Sequence, residues 1–523
     1  MKKNIYLKSA FLILGIGFFS SLYGMEDGLK DEPHEKGARA TSPRSLVVAQ
    51  DEREPAHDSS QRTTLGEELF RFYVDMSHPG HERVREKTNI IYSEERRHSS
   101  WEDVRGMFAF AEPSEALALN IIPMNAANFC PPFKLVSEIT HEFQQDLDHN
   151  VHMQHRIELF TRIVERSRES VAKSLNVDKE EIAFTRNTSE SNNSVNNCYR
   201  FRNLRGRVLV WDENHHTNDK LLWGHRMGDE DRVDVVTLTE VDLQNKDNVV
   251  RAFLEGINED TEVVTFTELS NTTGTRLPTK EICNAIHNGL KDYKHSGRKE
   301  YKARPNIHIH VDGAQSWGSL RVDLRDMDCD SFSASAHKWL CGPREVGILY
   351  VRNSAITHFK MPNVVAYDGR IVFHTDIPRN AGRFELLGQR NDASLLAIGL
   401  ANDVHLRINA EVGPIEERLW QLGDALRGKL SDPSFSEHLK IVTPSSPDLR
   451  NSIIVAELLK DKEGKGKPGE NLYDYLYTQV DGFERFLTSP QGEGRRIRFC
   501  LNFYNTENDI TELMRKINAY LLK

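Results

Sequence analysis

The sequence predicts an α/β protein, because short apolar runs of strand character recur along the chain and each breaks into a polar turn. Ile307-His308-Ile309-His310-Val311 alternates with period two and delivers Asp312 at its carboxyl end. In open α/β sheets ligands gather outside the carboxyl ends of the strands, so the residues just past each run are the candidates for chemistry.

Taken in chain order, the first such run is Ile182-Ala183-Phe184, which breaks into Thr185-Arg186-Asn187-Thr188-Ser189 and can open a helix. Helix N-termini present unpaired N–H groups and a positive dipole end, so Thr188 and Ser189 are placed to hold a phosphate; an ordinary helix cap would use the same residue types. Arg207-Val208-Leu209-Val210-Trp211 follows and runs into His215 and His216. That pair could stack on a ring or bind a metal with Asp212 or Asp219, but no further His or Cys cluster completes a ligand set, so no metal is expected. The run 262–267 ends in Glu268-Leu269-Ser270-Asn271, and Asn271 is either a turn residue or a ligand contact. Residues 330–334 lead into Ser335, His337 and Lys338, after which Gly342-Pro343 turns the chain into the strand-like run 346–351.

Lys338 and Asp312 carry the most information about function. A lysine amine can form an imine with an aldehyde cofactor, while a carboxylate at a strand end can keep a pyridine nitrogen protonated so that the ring withdraws electrons from a substrate's Cα. The two together describe a site for pyridoxal 5'-phosphate (PLP).

With these segments the chain resembles the class V aminotransferase group of fold-type I PLP enzymes, which includes cysteine desulfurases, kynureninases and isopenicillin N epimerase. The likeness runs from about Asn125 to the C-terminus. It implies a large domain with a mostly parallel seven-stranded sheet, over residues 143–376, and a smaller α+β C-terminal domain, over 377–523, to which the segment near Asn125 contributes. It implies Thr188, Ser189, Ser335 and His337 around the cofactor and His215 stacked on its ring. His216 is the reserve, because one extra residue separates the histidines from Trp223 relative to the desulfurase spacing. Asn271 and Gln315 would share the cofactor's phenolic oxygen. Arg498, in Arg498-Phe499-Cys500-Leu501-Asn502-Phe503-Tyr504-Asn505-Thr506, would bind the substrate α-carboxylate, since a guanidinium stays charged and grips with two parallel bonds. Asn125, in Asn125-Ala126-Ala127, would lie near the substrate, or else simply form a polar turn. A homodimer with the active site at the subunit interface is implied too.

Two departures from the pattern matter. Desulfurases carry a nucleophilic cysteine on a loop upstream of the arginine, and nothing between Lys440 and Ile497 is a cysteine. Cys500 is instead expected to be a small buried strand residue. Relatives follow Arg-Phe-Glu with Gly-Thr, whereas here Arg383-Phe384-Glu385 leads to Leu386-Leu387-Gly388-Gln389, so Gln389 takes the phosphate-contacting place without a hydroxyl. The expected reaction is transamination of an amino acid, with epimerisation or racemisation as the alternative and β-elimination of a C–S bond third. A catalytically silent binding protein would have no need of the lysine.

Composition frames the rest. The 523-residue chain carries a net charge of -10 with no long basic stripe, which argues against a nucleic-acid partner; residues 460–467 are a solvated Lys/Gly-rich loop. Six well-separated cysteines make neither a disulfide framework nor a zinc pattern. Lys2 and Lys3 precede the apolar run 10–22, which suits a secretory signal peptide over 1–24 better than a membrane span. A secreted or periplasmic protein with no membrane attachment after cleavage is expected. Residues 25–64 are polar and read as a disordered leader, and 65–142 as an extension partly shared with the smaller domain.

Overall fold

The computed structural model describes residues 100–111, 121–290, 301–362, 378–386, 388, 390–460, 466–478 and 484–521, all within one compact unit of the chain. The expected signal peptide and leader, most of the extension, and Gln389 lie outside the described residues.

Strands are numbered in chain order: β1 (Ile121–Pro123), β2 (Ile182–Thr185), β3 (Arg207–Trp211), β4 (Val233–Val236), β5 (Thr261–Thr267), β6 (His308–Asp312), β7 (Ser331–Ser335) and β8 (Gly347–Val351). Then come β9 (Leu439–Ile441), β10 (Ile453–Leu458), β11 (Arg485–Leu487), β12 (Ser489–Gln491) and β13 (Arg496–Cys500). The main sheet has seven strands in the order β2-β8-β7-β6-β5-β3-β4. Parallel ladders join β4 to β3, β3 to β5, β5 to β6 and β6 to β7, and only β8 runs against its neighbours. The expected α/β fold with a mostly parallel seven-stranded sheet is therefore what the chain forms.

Every residue of β5, β6, β7 and β8 is buried, as in sheets covered on both faces by helices. The polar residues of β6 survive burial by pairing: His308, His310 and Asp312 share one face at period two and find partners there. Helices such as Lys134–His149 and Thr279–Asn288 bury apolar faces, with Leu135, Val136, Ile139, Ile282 and Ile286 in the core. Among the described residues no helix is long and apolar enough to cross a membrane.

A second, antiparallel sheet runs β12-β13-β10-β9, and β1 pairs in parallel with β11 beside it. Leu422, Leu426, Ile454, Phe486, Phe499 and Ile517 pack between this sheet and the helices Ile415–Leu430 and Glu507–Leu521. The chain after β1 is stitched to β13, with Met124 accepting a hydrogen bond from the Cys500 N–H at 2.8 Å. Gly274 (φ +72°) closes the turn after β5, where any Cβ would strike the Ile453 carbonyl of β10. The two sheets thus meet at the Asn271 turn.

Candidate active site

β8 opposes both its neighbours, so β2 points the same way as β3, β5, β6 and β7, and their last residues, Thr185, Trp211, Thr267, Asp312 and Ser335, lie at one edge of the sheet. The turns that follow bring together residues far apart in sequence.

Asp312 is fully buried. Its Oδ1 accepts from the Ala314 N–H at 2.9 Å and its Oδ2 from Asn192 Nδ2 at 2.8 Å. Asn192 Nδ2 also donates to Thr217 Oγ1 at 2.9 Å, and Thr217 Oγ1 lies 3.1 Å from His215 Nδ1. His215 is thereby tied to Asp312 through two intermediaries. Burial pushes the His215 imidazole down to about 4, so the ring is neutral near pH 7. His216 packs on it with ring centroids 3.9 Å apart.

Lys338 is 9% exposed and, among the described residues, its ammonium makes no hydrogen bond or ion pair. Burial lowers its pKa to about 8; Arg498 pushes the same way and Asp312 opposes. An amine that is partly neutral at physiological pH is a nucleophile and a base. His337 beside it is likewise held down at about 4 by burial and the neighbouring Lys338 charge, and its ring lies against Phe129.

The helix Thr188–Cys198 starts at the same edge. Asn187, not Thr188, is its cap, accepting from the Glu190 N–H at 2.9 Å. Thr188 faces inward, its N–H donating to Ser335 Oγ at 2.7 Å, while Ser189 is half-buried in the first turn.

Arg498 on β13 is 3% exposed. Its Nη1 donates to the Asn271 carbonyl at 2.7 Å and its Nη2 to Asn125 Oδ1 at 2.8 Å, while Nε has no partner. Among the described residues no carboxylate forms an ion pair with it. A buried guanidinium held by neutral groups is suited to receive an anion. The Asn271 side-chain amide, also at this turn, makes no hydrogen bond among the described residues.

Gln315, expected at the cofactor, has two protein partners. Its Nε2 donates to the Ala127 carbonyl at 3.0 Å and its Oε1 accepts from Trp339 Nε1 at 2.8 Å, fastening the Asn125 segment onto the Lys338 turn. One Nε2 hydrogen remains for another acceptor. Of the Arg383-Phe384-Glu385 run, Glu385 is buried in an ion pair with Arg168, which makes it structural.

Asn192, Thr217 and Trp339 belong to the site although the motifs did not single them out. Asn192 stands four residues after Thr188 and hence on the same helix face, which was the available signal. No group of three or more His, Cys, Asp or Glu among the described residues could hold a metal. A cleft of about 1240 Å³, lined by Glu268, Arg276, Trp317 and Glu416, includes none of Lys338, Asp312, His215 and Arg498; convergent polar groups locate the site.

The donor set fits PLP: an amine, a buried carboxylate for a pyridine nitrogen, a neutral ring to stack, a helix N-terminus with hydroxyls for a phosphate, and a cation for a substrate carboxylate. Comparisons with known proteins agree. The family Aminotransferase class-V matches residues 126–393. The chain is 26% identical to an isopenicillin N epimerase of Streptomyces clavuligerus over 369 residues, covering 68% of this chain and 83% of the relative. It is 29% identical to a cysteine desulfurase of Synechococcus elongatus over 320 residues, covering 58% of this chain but only 46% of the relative. Among solved structures, C-DES with glycine covalently linked to its PLP cofactor superposes with a TM-score of 0.60 at 19% identity, over 78% of this chain and 99% of that one.

Proposed function

The chain belongs to the class-V aminotransferase family of PLP-dependent enzymes, and on that premise we propose that it transaminates an α-amino acid at Cα. The observation that carries the reading is that Lys338 and Arg498 are both buried and that, among the described residues, neither forms an ion pair with a carboxylate.

When bound, the cofactor supplies an aldehyde for the lysine amine and an electron-withdrawing ring that acidifies the substrate Cα–H. Lys338 Nζ is the base that takes the Cα proton, and its lowered pKa suits that work near neutral pH. Asp312, fixed by Asn192 and the Ala314 N–H, holds the proton of the pyridine nitrogen. Neutral His215 would stack on the cofactor ring without adding charge. Thr188, Ser189 and Ser335 receive the phosphate at the helix N-terminus. Arg498 orients the substrate through its α-carboxylate, with Asn125 holding the guanidinium in place.

Desulfuration is disfavoured. All six cysteines are buried, and Cys500 lies on β13, where burial raises its thiol pKa. Epimerisation is the second reading, supported by the length over which the chain matches the Streptomyces clavuligerus enzyme. Cofactor fate separates the two. Incubated with an amino acid and no keto acid, a transaminase loses its cofactor absorption band and releases one keto acid per site, and an added keto acid restores the band. Exchange of the Cα hydrogen with deuterated water plus inversion, without keto acid, would establish the epimerase; release of a β-substituent would establish a lyase. We also propose that the enzyme is a homodimer exported from the cytoplasm, on the strength of the N-terminal basic and apolar run and the family pattern.

A further inference from the structure

A line of hydrogen bonds reaches Asp312 along one face of the sheet. His358 Nδ1 lies 3.3 Å from His308 Nδ1, and His308 Nε2 lies 2.9 Å from Ser331 Oγ. Ser331 Oγ lies 2.8 Å from His310 Nδ1, His310 Nε2 lies 3.0 Å from Asn192 Oδ1, and Asn192 Nδ2 donates to Asp312 Oδ2 at 2.8 Å. His308, Ser331, His310, Asn192 and Asp312 are all essentially fully buried.

Valence fixes the direction of every bond. The Asp312 carboxylate only accepts, so Asn192 must turn its NH2 toward it and its oxygen toward His310. His310 must then carry its proton on Nε2, which leaves Nδ1 to accept from the Ser331 hydroxyl. Ser331 Oγ in turn accepts from His308 Nε2–H, and His308 Nδ1 accepts from His358. Burial keeps His308 at about 3 and His310 at about 4, so both are neutral single tautomers at physiological pH. Each donor in the line points toward Asp312, and bonds aligned in this way polarise one another in a low-dielectric interior.

We propose that His310 is a positioning residue which, with its tautomer set by Ser331 and His308, locks the Asn192 amide and so holds the Asp312 carboxylate aimed at the cofactor's pyridine nitrogen. The inference rests on the PLP reading above and adds to it a residue that touches neither cofactor nor substrate. Asn192 Oδ1 also accepts from Ser333, so loss of His310 loosens the amide without stranding it. Freed, the amide can rotate and present its oxygen to the carboxylate, which would drive Asp312 out of line.

The test uses the full-length protein loaded with PLP labelled with ¹⁵N in the ring, and reads the nitrogen chemical shift at pH 7.5. The wild type should show the protonated-pyridine position. His310→Phe should move the signal toward the unprotonated position and lower turnover about tenfold or more, the scale of losing a bond that supports a charged group. His310→Gln, which keeps an N–H near the Nε2 position, should restore most of the wild-type shift. Ser331→Ala removes the hydroxyl that joins the two histidines without adding bulk and should give a smaller displacement in the same direction; it decides the matter if His310→Phe does not fold. An unmoved signal in both His310→Phe and Ser331→Ala would overturn the inference while leaving the PLP reading intact. A wild type that takes up no PLP would overturn that reading itself.

Discussion

Arg498 and Asn125 stand 373 residues apart in sequence and meet through a 2.8 Å hydrogen bond from Nη2 to Oδ1. The contact follows from the pairing of the Asn125 segment with the end of β13, where Asn125 bridges Cys500. The substrate end of the site is thus built from both ends of the described chain, with Asn271 of the main sheet as the third support. Arg498→Lys keeps the charge but loses the planar fork. We expect KM for the amino acid to rise about tenfold or more, with a smaller change in kcat; steady-state kinetics checks this, and an unchanged KM would remove Arg498 from the substrate site.

Lys338 sets a pH dependence in the cofactor-free protein. Its pKa falls from 10.5 unfolded to about 8 folded, so folding below pH 8 confines a charge in a dry site, and that cost fades as pH rises from 8 through 10.5. Cofactor-free Lys338→Met should therefore exceed the cofactor-free wild type in stability by up to about 3 kcal/mol at pH 7. The gap should narrow steadily toward pH 10.5 in urea denaturation. A gap that widens with pH would reverse the assignment of burial as the dominant cause.

Asp312→Ala should retain part of the cofactor through the phosphate site yet lose turnover on the order of 10²-fold or more, the scale of a lost proton-holding group. Absorption spectra and turnover measured on the same sample separate the two effects. Near-normal turnover would place the pyridine nitrogen elsewhere.

Export predicts a mature protein that begins near Met25. N-terminal sequencing of protein recovered from cell fractions checks it, and an intact Met1 on cytoplasmic protein would refute it.

The sequence made some of this legible because the signals are local. Period two in residues 307–311 places Asp312 at a strand end, and Ser335, His337 and Lys338 follow one short strand. Partner choice was not legible, since it depends on register between strands. Nothing near Gln315 announces that its amide joins Ala127 to Trp339, and the line from His358 to Asn192 needs β6, β7 and the helix Thr188–Cys198 stacked in their actual order. Which residue caps the helix was not legible either, because Ser, Thr and Asn cap almost equally well; Asn187 is the cap, while contact with Ser335 turns Thr188 inward.

The most direct test of the account is chemical. The purified protein loaded with PLP is reduced with borohydride, digested, and mapped by mass spectrometry. The account predicts one reduced cofactor per chain on the peptide that contains Lys338, and none in Lys338→Ala. Recovery of the label on a peptide lacking Lys338, or no fixable cofactor in the wild type, would contradict it.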